Sequence, residues 1–372
     1  MREYLLVFLV AGVVSYLLCV VARELAIRSG AVARVRDRDV HATPIPYFGG
    51  VAMLGGLAAG LLLARHLPFL SLSGETVFHD AGWVLAAGAM ICAVGVLDDL
   101  IELDALTKLG GQIVAAGVLV LNEVKLYSFK LPGFGQLVLD PSQSALLTIV
   151  LVVGTMNAVN FVDGLDGLAG GVVLIGAVAF FLFSYKLADA NNETLAITAA
   201  LLCAAMGGAC AGFLPHNFFP ARIFMGDSGS MLLGLVLAGA TLTLTGQFAT
   251  VSVQGPGAPD SSALAILLPI LLPITILIVP LGDLVLAVVR RTRRGQAFYQ
   301  PDKEHLHHRL LEIGHSQRRA VLIMWLWAGL IAFGAVLVSL YSGPATWSLL
   351  AVGTVGILVL TFLVPRLQSP VR

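Results

Sequence analysis

Charge is what this sequence has least of. Only 12% of its 372 residues are Asp, Glu, Lys or Arg, against 58% hydrophobic, where soluble domains carry roughly 25% charge. With a mean hydropathy of +0.92, water is not the main solvent of this chain. The charges that are present cancel, 22 basic against 22 acidic. The basic footprint of a nucleic-acid binder is therefore missing, and no nucleic-acid partner is expected. Cysteine is scarce too: Cys19, Cys92, Cys203 and Cys210 stand inside apolar runs without CxxC spacing. That argues against a disulfide framework or a thiolate metal site and reads as buried, reduced thiols. No GxxxxGK(S/T) segment occurs, so a P-loop pump is excluded. No small-residue cleavage site follows the apolar N-terminus, which reads as a first helix rather than a signal peptide.

Long hydrophobic runs are what the sequence has in abundance. A transmembrane helix needs about 20 mostly apolar residues. Such runs lie near Tyr4–Ala22, Tyr47–Leu67, Ala81–Leu97, Leu109–Val124, Ser144–Asn157 and Leu168–Tyr185. Others lie near Thr194–Leu214, Ser230–Gly246, Ser262–Ala287, Ala320–Leu340 and Trp347–Val364. The fifth is short, and Pro269, Pro273 and Pro280 predict a kink in the ninth. The expectation is an all-α integral membrane protein of about eleven transmembrane helices, one polytopic domain over residues 1–372 embedded in a lipid bilayer. With alternating loops, one face receives Arg2, Arg65, Lys125, Lys130 and Lys186, and the other receives the remaining seventeen of the 22 basic residues. The positive-inside rule makes the second face cytoplasmic, with the N-terminus outside and the C-terminus inside.

The unusual polar segments fall on that same face, in loops of about 23–46, 98–108, 157–167, 215–229 and 290–319. Asp98 and Asp99 close the third span, and two carboxylates at a membrane edge are costly unless they bind a cation, pair with a base or face water. Lys108 and Gln112 follow. In the run from Asn157 through Asn160, Asp163 and Asp166, amides and carboxylates recur at three-residue steps, with Gly164 and Gly167 each following an aspartate. Oxygen ligands grouped in this way suit Mg²⁺. Asn217 lies in the loop that leads to Phe224-Met-Gly-Asp227-Ser-Gly-Ser230, where a carboxylate between glycines at a helix start makes a metal–phosphate cradle. His305, His307, His308 and Arg309 crowd the most basic loop. They lack the thiols or HExxH spacing of a zinc site and suit a cationic diphosphate clamp better. Metal ligands beside phosphate-binding cations read as phosphoryl transfer by positioning and charge neutralisation.

Taken together, Asp98–Asp99 with Lys108, NAVNFVDGLDGL, FMGDSGS, HLHHR and the His41–Gly50 run resemble the polyprenyl-phosphate N-acetylhexosamine-1-phosphate transferases. Ile45 departs from that family's usual first-loop pattern. The HLHHR segment resembles the branch that moves N-acetylglucosamine 1-phosphate rather than the phospho-MurNAc-pentapeptide branch. The resemblance implies transfer from UDP-GlcNAc to polyprenyl (undecaprenyl or decaprenyl) phosphate in a bacterial plasma membrane, with release of UMP. It implies Mg²⁺, with Mn²⁺ as a substitute, and a family habit of homodimerisation. By the same resemblance Asp227 is the chief metal ligand, helped by Asn160 or Asp163, and Phe224 stacks on uracil near Asp166. Lys108 and the His305–Arg309 cluster hold the diphosphate, Asn157 and Asn217 line the substrate, and Asp98 and Asp99 sit by the lipid phosphate. An ion-coupled transporter would place ionisable groups near mid-span rather than at the ends. A CDP-alcohol phosphotransferase would need an Arg soon after the first Asp-Gly pair and two further spaced aspartates.

Overall fold

The computed structural model describes residues 1–33, 44–131, 135–191, 194–245, 313–341 and 343–368, with 271, 292 and 310 as single residues. Ten of the apolar runs become helices: α1 (Arg2–Ser29), α2 (Gly49–Ala64), α4 (Glu75–Ile101), α5 (Ala105–Leu121), α6 (Pro141–Val162), α7 (Leu168–Asn191), α8 (Thr194–Asn217), α9 (Gly226–Thr245), α10 (Gln317–Leu340) and α11 (Pro344–Gln368). A single turn, α3 (Pro68–Ser71), lies between α2 and α4. The ninth run, Ser262–Ala287, lies outside the described residues. Eight of the helices are long and apolar enough to cross a membrane, and α2 and α5 are shorter apolar helices. The chain is therefore an integral membrane protein.

Two features differ from the reading of the runs. The fifth run looked short, yet α6 has 22 residues. Asp140 accepts from the Ser142 and Gln143 amides while the Gln143 side chain returns to the Asp140 N–H. That capping box starts the helix before its apolar stretch. At its other end the Asn157 side chain bonds to the Val153 carbonyl one turn back, so polar residues continue the helix. Among the described residues the helices are joined by two small hairpins. β1 (Val32–Ala33) pairs with β2 (Ile45–Pro46), Val32 opposite Pro46, and β3 (Ser128–Leu131) pairs with β4 (Gly135–Val138).

The axis of the bundle is α9. Every one of its residues except Asp227 is buried, packed among α2, α4, α6 and α8. Close approach comes from small residues, the usual device where lipid removes any hydrophobic drive between helices. A Cβ on Gly95 of α4 would collide with the Ser228 backbone, and one on Gly50 of α2 with Gly229. Three helices thus meet backbone to backbone at the start of α9.

Candidate active site

The polar residues converge at that end of the bundle. Asp98 and Asp99 lie in the last turn of α4, Lys108 in the first turn of α5, Asn160 in the last turn of α6 and Asp227 in the first turn of α9. The Lys108 ammonium bridges two carboxylates, 2.7 Å from Asp98 Oδ2 and 2.8 Å from Asp227 Oδ2. Asp98 Oδ1 accepts from the Leu103 N–H at 2.8 Å, which ties the α4–α5 turn to the site. The Asn160 amide donates to Asp227 Oδ1 at 2.9 Å and to the Ser230 hydroxyl at 2.8 Å. Both oxygens of Asp227 are therefore aimed by neighbours from other helices.

Asp99 does a different job. Its Oδ1 accepts from the Asp227 N–H at 3.0 Å and its Oδ2 from the Ser228 hydroxyl at 2.9 Å. A carboxylate from α4 thus caps α9, where the helix dipole favours negative charge. Gly226 makes this possible. Its φ is +68°, a conformation glycine adopts without penalty, and a Cβ there would collide with the Asp99 carboxylate.

A brace lies behind the site. Asn217, buried at the end of α8, accepts from the Gly167 N–H at 2.9 Å and donates to the Ile223 carbonyl at 3.0 Å. Buried Asp166 accepts from the Ala221 N–H at 2.9 Å. The α6–α7 turn and the segment before α9 are thereby locked together. On its other side that segment runs along β2 and the start of α2. The Phe224 N–H donates to Pro46, and Gly49 and Gly50 donate to the Phe224 and Met225 carbonyls. Phe224 itself packs against Tyr47, ring centres 6.1 Å apart.

The electrostatics are one-sided. Asp98, Asp99, Asp163 and Asp227 face a single ammonium, Lys108, among the described residues. Carboxylate oxygens of Asp98, Asp99 and Asp227 lie within 4.8 Å of one another. This all-oxygen donor set with excess negative charge fits a hard divalent cation. Asp163, half-buried at the end of α6, takes no hydrogen bond from the described residues. Burial, with Asp227, Asp99 and Asp166 as negative neighbours, pushes its carboxyl up to about 8. A carboxyl that binds its proton more tightly when folded makes stability fall as pH rises, here from about 4 to about 8. Thermal unfolding of protein held in chelator is expected to shift downward across that window, and Asp163→Asn to flatten the shift. Identical pH profiles for the two proteins would contradict this account of Asp163.

Of the residues singled out in the sequence, the structure gathers Asp98, Asp99, Lys108, Asn160 and Asp227 into one hydrogen-bonded cluster. Asp163 stands beside it and Phe224 at its rim. One oxygen of Asp166 accepts from a backbone N–H, Asn217 bonds backbone through both ends of its amide, and Asn157 turns to Gln112 and Val153. His305, His307, His308, Arg309 and residues 34–43 lie outside the described residues. Sequence reasoning passed over the individual roles of Ser228 and Ser230. Their place in a hydroxyl-rich helix start was the only available signal.

The family described as Glycosyl transferase family 4 matches residues 82–245, from within α4 to the end of α9. The decaprenyl-phosphate N-acetylglucosaminephosphotransferase of Mycobacterium tuberculosis is 47% identical over 371 residues, covering 99% of this chain and 90% of that protein. A probable undecaprenyl-phosphate N-acetylglucosaminyl 1-phosphate transferase of Bacillus subtilis is 32% identical over 90% of this chain and 85% of its own length. The phospho-N-acetylmuramoyl-pentapeptide-transferase of Mycobacterium bovis is 37% identical, over only 65% of this chain and 77% of its own length. Matched over 99% of its length by a relative 47% identical, the chain belongs to glycosyl transferase family 4.

Proposed function

We propose that this protein transfers N-acetylglucosamine 1-phosphate from UDP-GlcNAc to a polyprenyl phosphate such as decaprenyl phosphate, giving polyprenyl-diphospho-GlcNAc and UMP. The observation that carries the reading is the Asp98–Lys108–Asp227 bridge. It sets cation-binding carboxylates and a phosphate-binding ammonium side by side where helices end, as transfer between a water-soluble donor and a lipid acceptor requires. Relatives named for GlcNAc transfer match nearly the whole chain, whereas the pentapeptide transferase matches 65% of it, which favours the GlcNAc donor.

In this reading an oxygen of the lipid phosphate attacks the sugar-bearing phosphorus, and the bond from that phosphorus to the bridging oxygen breaks. UMP leaves with the electron pair. A phosphate monoester has its second pKa near 6, so the acceptor needs no strong base and Asp98 orients it. No enzyme-bound phosphoryl intermediate forms. Asp98, Asp99 and Asp227 would hold the divalent ion, Mg²⁺ by the chemistry of the donor set. When bound, such an ion neutralises diphosphate oxygens and stabilises the departing charge. Lys108 steadies the same charge, Asn160 aims Asp227, and Phe224 offers a stacking face for the uracil ring. The cluster from His305 to Arg309 would grip the diphosphate. On a reading of eleven spans with the N-terminus outside, the site faces the cytoplasm; the assignment of seventeen of the 22 basic residues to that face supports it.

The test is a transfer assay on purified protein with decaprenyl phosphate and labelled UDP-GlcNAc, UDP-GalNAc and UDP-MurNAc-pentapeptide in parallel. Lipid-linked label is expected from UDP-GlcNAc, lost in chelator and restored by Mg²⁺. Label from the pentapeptide donor alone, or from none of the three, would overturn the proposal.

A further inference from the structure

One helical turn deeper than the carboxylate cluster lies a second layer of contacts. On α5, Gln112 stands four residues after Lys108. On α6, Asn157 stands three residues before Asn160, and on α9 Met231 stands four residues after Asp227. Residues three or four apart share a helix face, so α5, α6 and α9 each send one group to the cluster and one to this layer. The Asn157 amide donates to Gln112 Oε1 at 2.8 Å and to the Val153 carbonyl at 2.8 Å. The Gln112 amide, 3% exposed, donates back to Asn157 Oδ1 at 3.4 Å and to the Met231 sulfur at 3.3 Å. Both amide hydrogens of Asn157 are thus spent within the protein.

We infer that Gln112 and Asn157 form a positioning clamp that fixes the height and rotation of α5, and so holds the Lys108 ammonium between Asp98 and Asp227. Theirs are the only direct hydrogen bonds between α5 and α6 among the described residues. The inference rests on the proposed transfer reaction, and it gives Asn157 a role through Lys108 rather than through the substrate. A slip of α5 by one residue would move Lys108 about 1.5 Å along the axis and about 100° around it. The ammonium could not then span both carboxylates at 2.7 and 2.8 Å. Because the clamp lies beneath the site, its loss should weaken the transition state more than donor binding.

The experiment uses full-length protein and compares wild type with Gln112→Met, Asn157→Leu, the double variant and the exchanged pair Gln112→Asn/Asn157→Gln. It reads kcat and KM for UDP-GlcNAc together with the thermal unfolding midpoint. Each single variant is expected to lose about 10- to 100-fold in kcat, the scale of a misplacement near 1 Å, with KM changed less than about threefold. The double variant should be no slower than the slower single, because one clamp is broken in each. The exchanged pair should recover part of the rate. A raised KM with unchanged kcat, additive losses, or a rate that merely follows the folded fraction would overturn the clamp. Wild-type protein without transfer would overturn the proposed function and the clamp with it, so the two failures are distinguishable.

Discussion

Asp227→Asn is expected to lower kcat by about 1,000-fold while leaving the protein at least as stable as wild type. The loss follows from the site's construction. Asp227 is the residue at which α5, α6 and α9 meet, taking Lys108 on one oxygen and Asn160 on the other. Neutralising it removes a cation-binding charge and releases the ammonium, and a single preorganised electrostatic contact can be worth 100- to 1,000-fold. The stability follows from the same geometry. The cap of α9 comes from Asp99, so an amide at position 227 leaves it intact. It also removes one negative charge from a cluster with too many. Stability that rises as activity falls is the pattern of a site built for function at some cost to the fold. Transfer assays and thermal unfolding on the same preparation decide the matter, and a variant within about tenfold of the wild-type rate would refute this role for Asp227.

The second large effect is structural. Gly95→Val would drive a branched side chain from α4 into the Ser228 backbone, which cannot give because α9 is buried on all sides. Overpacking of this kind costs about 1–3 kcal/mol and sometimes more. Here the displaced atoms belong to the first turn of α9, so the strain reaches Asp227 directly. We expect a lower unfolding midpoint together with transfer reduced by more than about 100-fold, the scale of roughly 1 Å misplacement. Gly82→Val is the control on the same helix, because a Cβ at Gly82 meets nothing within 4 Å. A Gly95→Val protein that behaves like Gly82→Val would show that α4 and α9 need no such approach.

Much of this was legible in the residues, and what was not has physical causes. Runs of apolar residues reveal helices because each must satisfy its backbone internally in lipid, so every described helix except the single turn α3 corresponds to a run. Helix ends were less visible. Asp140 and Gln143 are ordinary polar residues until a capping box is seen, and the continuation through Asp98 and Asp99 looked like a stop. Composition drew attention to Asn160, Lys108 and Asp227, and they do meet. It drew equal attention to Asn217 and Asp166, and a sequence cannot show that Asn217 and one oxygen of Asp166 bond to backbone amides. Gln112 was noted only as following Lys108, because a lone amide in an apolar run shows no role until its partner 45 residues later is found beside it. Gly50 and Gly95 carry no mark of their role, since close approach is a property of two chain segments.

The brevity of α5 has a consequence for the bilayer. With 17 residues it rises only about 25 Å, short of the roughly 30 Å hydrocarbon thickness. Its neighbour α4, with 27 residues, is long enough to cross at a tilt. If α5 crosses the bilayer, the membrane beside it thins or one of its ends, such as the Lys108 end, sits beneath the headgroups. The Lys108 end would then lie near or just beneath the headgroups of its leaflet, within reach of an anionic headgroup. Hydrophobic mismatch then favours the encounter, and membrane thickness becomes a variable to which the site should respond.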